Sequence, residues 1–375
     1  MDIRDIALKN EEKAIFALRE LYGQYGYTQY KMGKFEEYDL YVQNKDFLVS
    51  DSVITFTDTD GKLLALKPDV TLSIVKNSKN LKEGVQKVFY DENVYRVSKG
   101  THSFREIRQV GLECIGKVDC YCLYEVLMLA AGSLRAISEK CILDISHLGI
   151  VADVLDALGV SSKARRELLS FLGEKSVHEM KRVCREENAS TEAAECLYTL
   201  AELYGKADFV LEKLSAINGT LISPKHLNEL KLLCQMLISN GYGDMINVDF
   251  SVTGDMNYYN GIVFRGFVDS IPSGILSGGQ YDGLMEKMKK RSSAIGFAVY
   301  LDMLENLKDN QKRYDVDTLL VYDDTVDFQT INGTVNSLRA QGKSVYASSS
   351  IPEKLSYRNL MKLQQKGGMS LGSND

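Results

Sequence analysis

Three polar stretches hold residue types able to grip a small charged molecule: LKPDVT (66–71), the pair KVFYDENVYRVS and SFREIRQVGLECIG (87–98 and 103–116), and NYYNG (257–261) with GGQYDG (278–283). If the pair forms strands, side chains alternate, so Arg105, Gln109, Gly111 and Glu113 share one face and Glu106, Arg108, Val110 and Leu112 the other. An amide and a carboxylate beside a space-leaving glycine is odd for a core face. It suits a zwitterion: carboxylates for an ammonium, arginine for a carboxylate, tyrosine hydroxyls for a ring nitrogen. Each cluster also has a plain alternative. Asp69 and Thr71 serve equally as helix caps, Arg96 and Glu113 as a solvated sheet face, Tyr258 and Tyr259 as packing aromatics, and the GGQYDG glycines as a tight turn.

The elements that must position these groups follow from periodicity. IALKNEEKAIFALRELYGQYGY has apolar residues at helical spacing and stops at Gly23 and Gly26. ITFTDTDGKLLAL reads as two strands about an Asp60-Gly61 turn; after Pro68, DVTLSIVKNSK starts a helix. The two polar-faced runs form an antiparallel hairpin about KGTH, followed by the helix DCYCLYEVLMLAAGSLRAI and the strand CILDIS. From about Gly149 to Gly243 the period is helical throughout, an inserted all-helical segment. Strands resume with MINVDFSV and NYYNGIVFRGFV, the latter placing Asn257, Tyr259, Gly261 and Val263 on one side. GFAVYLDML (296–304) reads as a buried helix. Beyond Asn310, VDTLLVYDD, a helix and KSVYAS make a small βαβ-like unit, and the polar end from LMKLQQKGG onward reads as frayed. The class is α+β, with a core over 1–309 and a C-terminal α/β segment over 310–375.

Among 375 residues, 45% are hydrophobic and 26% charged, as in ordinary globular proteins. A net charge of −6 argues against a broad phosphate-binding surface. The seven cysteines lack paired CxxC spacing and read as buried free thiols, and none of the four histidines has ligand spacing to them, so neither metal nor cofactor is expected. No signal peptide and no apolar run of about 18 residues is apparent, which makes the cytoplasm the expected compartment and a membrane no partner.

The order FEEYDLY, FTDTDGKLLALKPDVT, KVFYDENVYRVSKGTHSFREIRQVGLECIG, NYYNGIVFRGF, SGGQYDGL, AIGFAVYLDML resembles the class II histidyl-tRNA synthetase core over about residues 1–306. The resemblance implies a six- or seven-stranded antiparallel synthetase sheet flanked by helices, and a dimer. It also implies histidine-binding roles: Asp69, Thr71 and Gln109 at the α-amino group, Glu113 and Tyr259 near the imidazole, Arg96 at the carboxylate, Tyr281 lining the pocket, and Tyr258 among the histidine-binding residues. Several activation positions depart from the family pattern: Ser98 two residues beyond Arg96, Thr253-Gly254 where an arginine precedes the paired tyrosines, and Met303 after Asp302 for the last arginine. Gly33 replaces a motif proline, Lys67 and Gln280 replace arginines, and the C-terminal segment is short for an anticodon-binding domain. The pattern resembles the paralogous regulatory subunits of ATP phosphoribosyltransferase. That implies a non-catalytic, histidine-sensing protein of histidine biosynthesis, partnered with a short-form catalytic subunit and with no tRNA. A divergent histidyl-tRNA synthetase, activating histidine with ATP, is the alternative.

Overall fold

The computed structural model describes residues 8–44, 53–79, 81, 83–98, 103–216, 221–254, 258–306, 314–364 and 370–373. Contacts divide the chain into two compact units, Glu11–Leu307 and Lys308–Asp375 with Met1–Asn10. In the larger unit the strands are β1 (Thr28–Gln29), β2 (Phe35–Glu37), β3 (Thr55–Thr57), β4 (Leu63–Leu66), β5 (Val85–Val97), β6 (Phe104–Gly116), β7 (Cys141–His147), β8 (Tyr204–Lys206), β9 (Ile246–Asp249), β10 (Ile262–Val268), β11 (Leu276–Gln280) and β12 (Ser293–Tyr300). Nine of them form one sheet in the order β1-β5-β6-β12-β11-β10-β7-β9-β8; β2, β4 and β3 form a small separate one. The main sheet is antiparallel except at β1–β5 and β7–β9. It exceeds the expected six or seven strands because the two-residue β1 and three-residue β8 extend its edges.

Alternation gives this sheet two unlike faces. Val110, Leu112, Phe297 and Val299 lie in the main core with the helices Asn10–Gln24 and Cys120–Ile137, where the Tyr22 ring meets Phe89 at 6.1 Å and Phe297 at 6.0 Å. Val88, Tyr90 and Ile115 instead pack with Val70, Leu72, Tyr281 and Leu284 in a second cluster, and between these apolar groups the face turns polar. The helix Cys120–Ile137 is the one described helix long and apolar enough by length and composition to cross a bilayer, and most of it is buried inside the protein.

The hairpin pairs residue by residue, from Val85 with Gly116 to Val97 with Phe104, while its KGTH connection lies outside the described residues. Gly61 adopts φ +79° in the expected turn between β3 and β4. All seven cysteines are free thiols, six of them buried.

Four expectations are corrected. GFAVYLDML is not a helix: Gly296–Tyr300 belongs to β12, held between β6 and β11, and only Leu301–Asn306 turns, as a 3₁₀ helix. A short apolar run buried on both sides carries no period that separates strand from helix, so its neighbours decide. Gly278 and Gly279 are not in a turn but inside β11, paired with Phe297 and Gly296. The insert is helical except for β8, which pairs with β9 at the sheet edge. Tyr258, Tyr259 and Gly261 precede β10 rather than alternating within it, and Asn257 lies outside the described residues.

The smaller unit has the order β14-β13-β15-β16, with β13 (Val316–Tyr322) parallel to β14 (Val345–Ser348) and to β15 (Tyr357–Leu363), and β16 (Ser370–Ser373) antiparallel. The helix Phe328–Ala340 makes the expected βαβ crossover, its Asp327 Oδ1 accepting from Thr330 N at 2.9 Å. β15 and β16 occupy part of the end read as frayed, because β13 offers a ladder to β15 and β15 in turn offers one to β16.

Candidate functional site

A cavity of about 310 Å³ opens on the polar face of the main sheet. Its wall contains Asp69, Thr71, Arg96, Gln109, Glu113, Tyr258, Tyr259 and Tyr281, all eight residues singled out from the sequence. Register explains the convergence. Gln109, Gly111 and Glu113 stand at alternate positions of β6, opposite Tyr300, Ala298 and Gly296 of β12 and opposite Glu92, Tyr90 and Val88 of β5. Where Gly111 and Gly296 omit a side chain, others enter. A Cβ on Gly111 would lie 2.4 Å from the Tyr90 hydroxyl, and one on Gly296 would lie 1.7 Å from Glu113 Oε2.

Glu113 is buried at the centre. Thr71 Oγ1 donates to its Oε1 at 2.6 Å and Tyr281 Oη to its Oε2 at 2.6 Å. Burial pushes its titration up to about 8, against the two hydroxyls, which favour the charged form, and with the nearby Asp69, which opposes it. Asp69 is also raised by burial, but accepts from Leu72 N at 2.8 Å and is held down by Arg96. Its capping and pocket roles are therefore both real: one oxygen anchors the first turn of Thr71–Asn77 while the residue lines the cavity. Tyr90, Tyr258, Tyr259 and Tyr281 are all pushed up by burial, so they present neutral hydroxyls.

Three further devices fix the wall. The segment carrying Asp69 docks along β5, with Tyr95 N donating to Lys67 O at 2.9 Å and Arg96 Nε to Pro68 O at 3.0 Å. Lys67 itself is buried in an ion pair with Glu92. The tyrosine segment is tied to β11: Gln280 Oε1 accepts from Ile262 N at 2.7 Å, Asn260 N donates to Gln280 O at 3.1 Å, and Asp282 N donates to Asn260 Oδ1 at 3.1 Å. Asp282 Oδ1 accepts from Ala294 N at 2.9 Å, joining β12 to the same clamp. Tyr258 stacks edge-on to Tyr259 at 4.6 Å and lies 5.7 Å from Tyr281. Sequence reasoning missed Tyr90, Ser277 and Tyr300 in the wall. Tyr90 was findable, since it alternates with Glu92, Val94 and Arg96 along β5, whereas Ser277 and Tyr300 enter only through the strands misread in GGQYDG and GFAVY.

A second cavity of about 610 Å³ adjoins the first and shares Arg96, Gly254, Ser277 and Tyr300 with it. Met303 lines it, its Sδ accepting from Ser273 Oγ at 3.3 Å, and Asp302 pairs with Arg105 at 3.1 Å. Gly254 has φ +56°, and a Cβ there would sit 2.9 Å from the Tyr259 ring, so the backbone as folded leaves no room for an arginine at this position. Ser98 N donates to Ser103 O at 2.9 Å at the connected end of the hairpin.

The histidyl-tRNA synthetase family model matches residues 2–304. The chain belongs to the histidyl-tRNA synthetase family. Within it, the chain is 27% identical over 292 residues, 76% of this chain and 74% of the relative, to an ATP phosphoribosyltransferase regulatory subunit of Alkaliphilus metalliredigens. It is similar in fold to an ATP phosphoribosyltransferase regulatory subunit/histidyl-tRNA synthetase from Bacillus halodurans, with a TM-score of 0.74 at 24% identity over 94% of this chain and 93% of that one. It is also similar to a chain of an ATP phosphoribosyl transferase (HisG:HisZ) complex from Thermotoga maritima, with a TM-score of 0.62 at 17% identity over 78% and 97% of the two chains. The mixed α+β class II fold is thereby established.

Proposed function

We propose that this protein is a regulatory subunit of ATP phosphoribosyltransferase that binds free histidine and conveys feedback inhibition to a short-form catalytic partner without activating histidine itself. The observation that carries the reading is the contrast between two adjoining cavities. In the first, buried carboxyls, hydroxyls and one guanidinium offer a partner to every polar group of an amino acid with a nitrogenous ring: Asp69, Thr71 and Gln109 to the ammonium, Arg96 to the carboxylate, Glu113 and the tyrosines to the imidazole. In the second, where a synthetase must neutralise developing phosphate charge, Arg96, Arg105 and Arg265 line the wall, with Arg105 paired to Asp302, but the two positions where the synthetase pattern places further arginines hold Met303 and Gly254. The name of the Alkaliphilus relative supports the same reading, as does the likeness to the Thermotoga complex.

Feedback requires histidine to bind one arrangement of the complex better than another, since a ligand shifts an equilibrium only by its differential affinity. The subunit associates with itself and with the catalytic chain, and needs neither tRNA nor cofactor. The test pairs two measurements on the full chain. Histidine-dependent ATP–pyrophosphate exchange should be absent; clear exchange would instead establish a divergent synthetase. Co-purification with a short-form catalytic subunit should be seen, with the partner's activity raised by the complex and lowered by histidine. Failure to associate would sink the regulatory reading.

A further inference from the structure

Two acidic side chains and one basic one line the candidate histidine pocket, and that count specifies the state of its ligand. Three charged or acidic side chains line the cavity: Asp69, Arg96 and Glu113. Arg96 comes from β5, hydrogen-bonds Pro68 O and acts electrostatically on Asp69. Glu113 is faced by Thr71 and Asp69 from the helix and its lead-in, by Tyr90 from β5, by Tyr258 and Tyr259 from the segment before β10, and by Tyr281 at the end of β11. None of these is a cation.

On the reading proposed above, the ligand's ammonium answers Asp69 and its carboxylate answers Arg96. Glu113 and the ring are left to balance each other. A carboxylate against a neutral ring leaves a buried negative charge, and a carboxylic acid against an imidazolium leaves a buried positive one; each is costly in a cavity walled by tyrosines. One proton between them leaves none. The two hydroxyls on Glu113 fit both its forms, since each can donate to a carboxylate or turn to accept from the acid.

We infer that histidine and Glu113 hold a single shared proton in the complex, so that Glu113 selects a ring able to give and take one proton and the proton count sets the affinity. Above neutral pH the free carboxyl loses its proton, which must be regained from solvent on binding. In acid the free ring and free Glu113 carry two, and one must leave. Affinity then peaks between the ring's ordinary titration, about 6.5, and that of free Glu113, about 8.

Calorimetry of histidine binding to the full chain from pH 6 to 9, in two buffers of different ionisation enthalpy, reads the proton directly. At pH 8.5 the wild type should take up more than roughly half a proton per histidine, and between pH 7 and 9 its affinity should fall about tenfold more than that of Glu113→Gln. The variant retains the ligand's own titrations, so the difference isolates Glu113. Tyr281→Phe provides a second check. Losing a donor that favours the carboxylate should move the alkaline limb to higher pH, which a merely structural role would not do. Binding with the same proton uptake and pH profile in wild type and Glu113→Gln would overturn the inference while leaving histidine recognition standing. An absence of binding at every pH would overturn that recognition and the inference with it.

Discussion

Glu113 and Gly296 are two halves of one design at the residue scale: a buried carboxyl on one strand and a missing side chain on the next. Glu113→Gln keeps the volume and removes the charge. It should weaken histidine binding by about tenfold or more at neutral pH, measured by calorimetry, with the far-ultraviolet spectrum unchanged. Gly296→Ala should do the same by a different route, displacing the carboxyl, and should cost about 1–3 kcal/mol in denaturant unfolding as an overpacked site. Glu113 also sets a sign for stability against pH. Its folded titration, about 8, lies above the unfolded carboxyl range, so the folded state binds the extra proton between roughly pH 4.5 and 8. Stability is therefore highest below that window and falls as pH rises through it. Glu113→Gln should be flatter over the window in denaturant melts, and a wild-type curve no steeper than the variant's would show that the carboxyl is not held neutral.

The elements explain why side chains from positions 69 to 300 meet. Thr71–Asn77 presents Thr71 because Asp69 takes the Leu72 amide, while Ser73 Oγ and Lys76 Nζ reach Glu36 of β2 at 2.9 Å each. The clamp of Asn260, Gln280 and Asp282 sets the tyrosines relative to β11 and β12. Asp282→Ala removes the acceptors of Ala294 N and Asn260 Nδ2 without touching the cavity wall. It should lower histidine affinity severalfold and stability by about 1–2 kcal/mol, whereas full retention of affinity would place the tyrosines under other control. Much at this scale was legible. The Asp60-Gly61 turn, the period-2 faces of β5 and β6 and the helical insert all express local rules. The strands β11 and β12 were not, since SGGQ has no side-chain pattern and GFAVY is apolar on both faces. β12 takes its identity from a ladder to β6, more than 150 positions away, and β11 from its place between β10 and β12.

At the scale of the molecule, histidine that binds only the folded chain should stabilise it. At a ligand concentration of about one hundred times Kd the gain is about 2.7 kcal/mol, visible as a rise of a few degrees in Tm by differential scanning fluorimetry and much reduced in Glu113→Gln. The sequence by itself determined the set of chemical groups, the α+β class, and the alternation that sends Gln109, Gly111 and Glu113 to one side of a strand. Backbone period and side-chain chemistry are local properties, and they survive in a one-dimensional reading. Only the tertiary structure decided which strands flank β6, that Gly296 and not a bulkier residue faces Glu113, and that Tyr90 and Tyr300 complete the wall. Those are matters of register between distant segments, set by main-chain hydrogen bonds and close packing that no residue specifies alone.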